Sequence, residues 1–244
     1  YYLEFHQKED DEVFFDEILN SIARGGGKNE SLADMNPFFI SPLYGVRNYD
    51  VTITANSEKQ GKVSFKEVYE MVQMRKLEKQ FYLTKMAIVN NVTNSIFSYR
   101  TNNPKTMDSA RDGCLEFDEI HQFESSDLVD IQRSGLGKIK HPRTFYNGTN
   151  GHVREGFYDK MLERAQKIFS GENKNDRLFP FICKLDNIDE MDNPKMWSKA
   201  NPMFEEDSAY SKRLFSTVMK EYKKLEDEPS GRREFVVKRM NFTE

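Results

Sequence analysis

Two groups of residues in this sequence have the chemical types and the order that phosphate chemistry requires. In the first, three glycines lead into Lys28, and in the second the acids Asp118 and Glu119 end an apolar run. A glycine loop before a helix directs backbone N–H groups at an anion, and the lysine adds a positive charge. One carboxylate can hold Mg²⁺ while a second orients an attacking water. The two motifs together predict a site for hydrolysis of a nucleoside triphosphate.

The glycine loop departs at two positions from the usual pattern G-x-x-x-x-G-K-[S/T]. Ile22 occupies the first glycine position, and Asn29 replaces the hydroxyl residue that normally ligates Mg²⁺. An amide oxygen can still coordinate a hard cation, directly or through water. Taken alone, the loop fits either a nucleotide site or a mobile turn. The predicted nucleotide-binding residues are Arg24, Gly25, Gly26, Gly27, Lys28 and Asn29.

The acidic pair stands at the carboxyl end of a predicted strand in "CLEFDEIH". We predict Asp118 as a metal ligand, together with Asn29, and Glu119 as the catalytic carboxylate that positions water. Two solvated acids at a sheet edge are the alternative, but finding both motifs in the expected order favours the hydrolytic site. His121 fits a structural residue at the strand end better than a ligand.

A third motif, "FYNGTNG", follows the acidic pair along the chain. In sheets of this class, the strand after the acidic pair often ends in small polar residues near the γ-phosphate. Thr149 and Asn150 are therefore candidates for coupling the loss of that phosphate to movement. A tight Asn-Gly turn is the alternative.

The elements that must position these motifs alternate between strand and helix. A β-prone run precedes the glycines, and Lys28 begins a helix to about residue 40 that Pro37 would distort. Further strands are predicted in "YDVTITAN", "SIFSYRT", "GCLEFDEIHQF" and "RTFYNGTNG". Helices are predicted over residues 57–81, 127–136 and 154–171, the last ended by Gly171. The predicted core-facing positions of the first are Val63, Val68, Met71, Val72 and Leu77.

This alternation predicts an α/β fold with a mostly parallel sheet flanked by helices, of the P-loop NTPase (RecA/ASCE-like) class. After Gly171 the pattern changes to a strand, an acidic linker and a long helix over residues 207–229. We therefore predict a P-loop ATPase core over residues 1–171 and a small lid or linker subdomain over residues 172–244.

Composition narrows the classes of partner. The net charge of −4 argues against a protein that coats nucleic acid with its whole surface, so any DNA contact must be local. Cys114 and Cys183 lack metal-binding spacing and lie in apolar runs, which predicts buried thiols in a reduced, intracellular protein. The apolar runs are too short to cross a bilayer. The sequence lacks an initiator Met, and we expect it to be an excised fragment.

The motifs together resemble the ATPase half of the large terminase subunit of tailed bacteriophages. The resemblance covers nearly the whole chain and rests on "IARGGGKN", "ANSEKQGKVSF", "CLEFDEIHQFESSDL", "RSGLGK", "NGTNG" and "MWSKANP". It implies an ATPase that drives viral DNA into a procapsid, with ATP and Mg²⁺ as cofactors. The implied partners are double-stranded DNA, the portal protein, the small terminase subunit and other copies of the chain in a ring. The implied location is the host bacterial cytoplasm, with no membrane.

Carried onto this sequence, the resemblance makes residues 24–29 the Walker A loop and Asp118 with Glu119 the Walker B acids. Arg111 falls where related motors place an arginine that acts on a neighbouring subunit, with Arg24, Arg133 and Arg154 as rivals. Four basic residues in "QRSGLGKIKHPR" are candidate phosphate contacts or members of a solvated loop: Arg133, Lys138, Lys140 and Arg143.

Two other functions remain open for this sequence, and nuclease activity is not expected from this part of the protein. The chain could be another P-loop nucleic-acid-dependent ATPase, or a nucleotide-responsive docking module in which Asn29 marks weakened hydrolysis. The family usually carries a C-terminal nuclease domain, and we expect nuclease activity only in the full-length protein, because "KLDNIDEMDNP" reads as a solvated acidic linker.

Overall fold

The computed structural model describes residues 13–100 and 111–243. The strands in these ranges are β1 (Glu17–Ser21), β2 (Asp50–Thr54), β3 (Phe81–Leu83), β4 (Ala87–Asn90), β5 (Ile96–Arg100), β6 (Asp112–Phe117), β7 (Arg143–Gly148) and β8 (Leu178–Ile182). They form one sheet in the order β3-β4-β5-β2-β6-β7-β1-β8. The six strands from β5 to β8 in that order are parallel to their neighbours, whereas β3 and β4 form an antiparallel hairpin at one edge. The predicted mostly parallel α/β sheet is confirmed.

Helices cover both faces of this sheet. They are α1 (Lys28–Phe39), α2 (Glu58–Met74), α3 (Asp127–Arg133), α4 (Phe157–Phe169), α5 (Ala209–Lys224) and α6 (Arg232–Arg239), with short 3₁₀ turns such as Ile120–Gln122. Successive strand residues point to opposite faces, so Ile18 packs with α1 and α2 whereas Leu19 packs with α3 and α4. The inner strands β1, β6 and β7 are buried along their whole length, as a parallel sheet covered on both faces requires.

The residues after β8 build a separate apolar cluster beside the glycine loop. Its centre is Trp197, which is fully buried, donates a hydrogen bond from Nε1 to Met191 O at 2.8 Å and contacts aromatic rings of α5 and α6. Backbone bonds from Ala23 N to Ala200 O and from Arg24 N to Lys238 O join this cluster to the loop. The C-terminal region thus covers the loop directly.

Most predicted elements are found, with differences in extent. The predicted helix over residues 57–81 ends at Met74, because Lys76 adopts a positive φ of 56° that stops the helical path. Val63 was wrongly placed in the core, since it is 49% exposed and Phe65 faces the core in its place. The hairpin β3–β4 and helix α6 were not predicted. Pro37 lies in the last turn of α1 without interrupting it.

The predicted division between residues 171 and 172 stays a prediction. Strand β8 follows that boundary and still pairs with β1 in the main sheet.

Both cysteines are buried free thiols, as predicted. No helix in the described ranges is long and apolar enough to cross a membrane. The predicted loop "NNPKTMDSARDG" lies largely outside the described residues.

Candidate functional site at the carboxyl edge of the sheet

The glycine loop joins the end of β1 to the start of α1 and needs each of its three glycines. Gly25 and Gly27 have φ values of 88° and 80°, in the left-handed region that favours glycine. A Cβ on Gly26 would lie 2.2 Å from Cγ2 of Ile22. Ile22, which stands at the first glycine position of the pattern, therefore packs directly against Gly26 and leaves no room for a side chain there.

Lys28, the first residue of α1, is held by two neighbouring elements. Its side chain is 8% exposed, and Nζ donates hydrogen bonds to Ile22 O at 3.0 Å and to Thr149 Oγ1 at 2.7 Å. Burial lowers the pKa of Lys28, whereas the nearby charges of Glu119 and Asp118 act in the opposite direction. An anion in front of the loop would compensate this buried cation.

The acidic pair follows β6, next to β7 in the sheet. Asp118 is 4% exposed and accepts hydrogen bonds from Ser64 Oγ at 2.8 Å and from Glu119 N at 3.0 Å. Glu119 has a φ of 54°, which turns the chain sharply after the strand. Burial raises the pKa of both carboxyl groups. Two acids in such a position favour a cation nearby.

Residues from six segments line one cavity of about 200 Å³. Its lining consists of residues 24–30 with Glu67, Glu119, His121, Thr149, Tyr210 and Lys238. Lys28 and Glu119, some ninety positions apart in the sequence, therefore line one cavity, and the charge of buried Asp118 also acts on Lys28. This meeting is the geometry that the two sequence motifs require.

The described residues contain no group of three His, Cys, Asp or Glu side chains arranged as a metal site, so a cation in this cavity would have few protein ligands. Glu67 and Asn29 line the cavity and lie beside each other, and buried Asp118 precedes Glu119 at its wall. Within the described part of the chain, Glu67 Oε2 is buried and has no hydrogen-bond partner. Oxygen ligands of this kind suit Mg²⁺.

The third motif touches both the loop and the C-terminal region. Thr149 Oγ1 accepts from Lys28 and donates to Ile22 O at 2.7 Å. Asn150 N donates to Asn241 Oδ1 at 2.7 Å, and the Asn150 side chain donates to Thr243 Oγ1 at 2.6 Å. Two adjacent residues, Thr149 and Asn150, thus connect Lys28 to the segment after α6. Their coupling role stays a prediction.

The arginines occupy different places. Arg24 lines the cavity, and Arg154 contacts Asn150 and Asp159. Arg111 is exposed and precedes the amino end of β6, so that strand separates it from Asp118 by about 20 Å. The structure does not bring Arg111 to the site of its own chain, and action on a neighbouring subunit stays a prediction.

Arg143, one of the candidate DNA contacts, is wrongly placed by the sequence prediction. It is 1% exposed and its guanidinium lies over the rings of Tyr44 and Phe39. Arg133 forms an ion pair with Glu17 at 3.1 Å. These two arginines therefore stabilise the fold.

Several site residues were not found from the sequence. Ser64 and Glu67 come from α2, Tyr210 from α5 and Lys238 from α6. The spacing of Ser64 and Glu67, three apart on one helix, could have indicated a shared face toward the acids. No local signal marks Lys238, because only tertiary packing brings α6 to the loop.

A glycine loop between a strand and a helix, with acids at the end of a nearby parallel strand, defines a P-loop nucleotide-binding domain. Comparison with known families identifies this domain more closely. The family described as "Terminase large subunit, ATPase domain" matches residues 9–167, and the chain belongs to it. The resemblance found in the sequence motifs is confirmed.

Individual relatives agree with this assignment. The terminase large subunit of Lactococcus phage p2 is 24% identical over 226 residues, covering 90% of this chain and 40% of the relative. The HK97 bacteriophage large terminase has a TM-score of 0.78 at 18% identity, over 93% of this chain and 47% of that one. A large terminase from a thermophilic bacteriophage, solved in complex with ADP, gives 0.52 at 9% identity, over 81% and 46% of the two chains. The structural likenesses show a shared fold, and this chain spans less than half of each relative.

Proposed function

We propose that this chain hydrolyses ATP with Mg²⁺ as part of a motor that moves double-stranded DNA into a viral procapsid. The observation that carries the proposal is the single cavity at which the glycine loop, buried Lys28 and Glu119 meet. Membership of the terminase ATPase family supports the packaging role. The chain would act in the bacterial cytoplasm, transiently docked on procapsids.

Each residue of this site would have its own role in hydrolysis. The loop amides and Lys28 would bind the phosphates and offset their negative charge. Asp118, with Asn29 and Glu67 nearby, would hold Mg²⁺, which would supply positive charge to offset that of the phosphates. Glu119 would orient the attacking water and accept its proton. Thr149, already bonded to Lys28, would register the loss of the γ-phosphate.

The proposed partners complete the motor. We propose a homo-oligomeric ring on the portal protein, with the small terminase subunit and duplex DNA as further partners. An arginine from a neighbouring subunit, with Arg111 as the first candidate, would stabilise the transition state, which is worth about 10³–10⁵ in rate. An isolated monomer would then hydrolyse ATP slowly.

Substitution Glu119→Ala tests the proposal. We expect hydrolysis to fall at least about 10²-fold, because the water loses its orienting carboxylate, while ATP binding survives. Phosphate release in the presence of portal and DNA, and binding of a fluorescent ATP analogue, measure the two effects. Glu124→Ala, an exposed acid five positions on, should change neither.

The outcomes separate the proposal from its rival. A wild type that binds ATP but shows no turnover, even when assembled on portal and DNA, would favour a nucleotide-responsive docking module. The replacement of a hydroxyl residue by Asn29 is the feature of this chain that favours that rival.

A further inference from the structure

A row of three side chains connects the C-terminal helix to the catalytic carboxylate. Lys238 Nζ of α6 lies 3.1 Å from His121 Nε2. The other ring nitrogen of the same imidazole, Nδ1, is buried and lies 3.1 Å from Glu119 Oε2, a short polar contact without hydrogen-bond geometry. His121 thus stands between a cation of the C-terminal region and the residue that would orient water.

The chemistry of the groups fixes the direction of these contacts. An ammonium group has donors only, so Nε2 of His121 must accept from Lys238. A neutral imidazole then carries its proton on Nδ1, which faces the Glu119 carboxylate. Burial, with the charge of Lys238 next, lowers the pKa of His121 to about 3, which agrees with a neutral ring.

The imidazole has little freedom to move. His121 is 7% exposed, and a Cβ on Gly151 would lie 2.6 Å from its Cδ2. The absence of a side chain at position 151 therefore makes the space that the ring fills. A residue packed this closely at both ring nitrogens can set the direction of a neighbouring carboxylate.

Lys238 also connects three parts of the site. Its Nζ donates to Asn150 O at 3.1 Å, and its backbone oxygen accepts from Arg24 N at 2.9 Å. A displacement of α6 would change the contacts of the glycine loop, of the third motif and of His121 together.

We infer that His121 and Lys238 are positioning residues for Glu119, and that they make ATP hydrolysis depend on the position of α6. The inference rests on the proposed function, since it assigns a regulator to the same site. The short contact between Nδ1 and Oε2 limits where the Glu119 carboxylate can point, and Lys238 keeps the imidazole proton on the nitrogen that faces it. Neither residue needs to touch the nucleotide for the effect.

Four variants test this in the assembled motor. His121→Leu and Lys238→Met remove the contacts at similar size, and we expect kcat to fall about 10- to 100-fold with KM for ATP within about threefold. His121→Asn, which can keep a donor near the Nδ1 position, should retain more of the rate than His121→Leu. Lys220→Met, on the exposed side of α5, is the matched control and should leave kcat unchanged.

The two residues should act as one unit. The double variant His121→Leu/Lys238→Met should be no slower than about the slower single variant, since both remove the same restraint. Multiplying losses, or a change in KM alone, would overturn the inference.

The tautomer gives a readout that does not require turnover. In ¹⁵N-histidine-labelled free protein, with four histidines in all, His121 should show the Nδ1–H form, and Lys238→Met should shift it toward Nε2–H. An Nε2–H form in the wild type, or a spectrum unchanged by Lys238→Met, would overturn the inference. Wild-type turnover with full rates in the variants defeats the inference alone, whereas absence of wild-type turnover defeats the proposed function and the inference with it.

Discussion

Asn29 shows how a single departure from a motif can be compensated by a neighbouring side chain. Its side chain lies beside Glu67, whose carboxyl pKa is raised by burial and lowered by the neighbouring Asn29 amide. A serine or threonine at position 29 would be shorter and would leave more of Glu67 unpaired. The asparagine therefore joins a carboxylate of α2 to the predicted metal site.

The role of Asn29 can be tested through metal binding. We expect Asn29→Ala to raise about tenfold the Mn²⁺ concentration that half-saturates the protein–ADP complex, because an oxygen donor and its link to Glu67 are lost. Asn29→Ser should recover most of the affinity. Electron paramagnetic resonance of free Mn²⁺ measures both. Equal affinity in all three proteins would show that position 29 does not contribute to the metal site.

Residues with local signals were predictable, and those brought by tertiary contact were not. Glycines before a lysine, and acids after an apolar run, each lie within a few positions of the element that carries them. His121 was interpreted as structural because the sequence does not show Lys238, which is 117 positions away, beside it. The burial of Arg143 is another case, since its aromatic neighbours belong to a distant segment.

At the level of elements, the C-terminal segment after α6 closes over the end of the sheet. Asn241 is 2% exposed, and its side chain accepts from Asn150 N and donates to Ser21 Oγ and Cys183 O. One amide therefore holds the ends of β1, β7 and β8 together. The third motif and the C-terminal region meet at this residue.

Asn241→Ala should destabilise the fold considerably. Three hydrogen bonds are lost in a buried place, and at about 1 kcal/mol each the free energy of unfolding should fall by about 3 kcal/mol. For a chain of this size that corresponds to a decrease in Tm of about 6–12 °C. Urea titration and calorimetry measure the change, with exposed Asn175→Ala as the control. A loss no larger than that of the control would mean that these bonds contribute little.

The elements missed from the sequence have a common physical reason. Strands β3 and β4 contain three and four residues, too few to show alternation, and they follow a charged stretch that continues the helical pattern of α2. Helix α6 has eight residues, and its buried side chains pack on the Trp197 cluster. Such short elements are stabilised by their neighbours, so their own sequence carries little signal.

Across the whole molecule, an ionic network centred on a buried carboxylate joins the sheet to the helices on one of its faces. Glu17 of β1 is 6% exposed and contacts Arg164 of α4 at 2.8 Å, Arg133 of α3 at 3.1 Å and Tyr146 Oη of β7 at 2.7 Å. Arg164 extends the network to Asp176. These contacts fix two helices to the strand that carries the glycine loop.

This network predicts the acid sensitivity of the fold. Burial acts to raise the pKa of Glu17, but the bond to Arg164 and the charges of Arg133 and Arg164 outweigh it, so the pKa in the folded protein lies below 4.5. A carboxyl group with a lowered pKa contributes stability that is fully present above its unfolded pKa and is lost as the pH falls through its folded pKa. Protonating Glu17 would leave two half-buried arginines without this counter-charge. The stability that Glu17 provides should therefore begin to fall at about pH 4.5 and be lost as the pH passes through the lower folded pKa.

Glu17→Gln isolates this contribution from that of the other acids. At pH 7 we expect the variant to lose about 3 kcal/mol, since one partner of a buried ionic network is removed, and the difference from wild type should shrink as the pH falls below about 4.5. Asp118 and Glu119, whose pKa values are raised by burial, have the opposite dependence and cancel in the difference. Thermal unfolding of both proteins from pH 3.5 to 8 measures it. Glu58→Gln, which removes the exposed pair with Lys62, should leave Tm nearly unchanged throughout. A difference that stays constant with pH would mean that Glu17 stabilises the sheet through packing and hydrogen bonding, with no contribution from its charge.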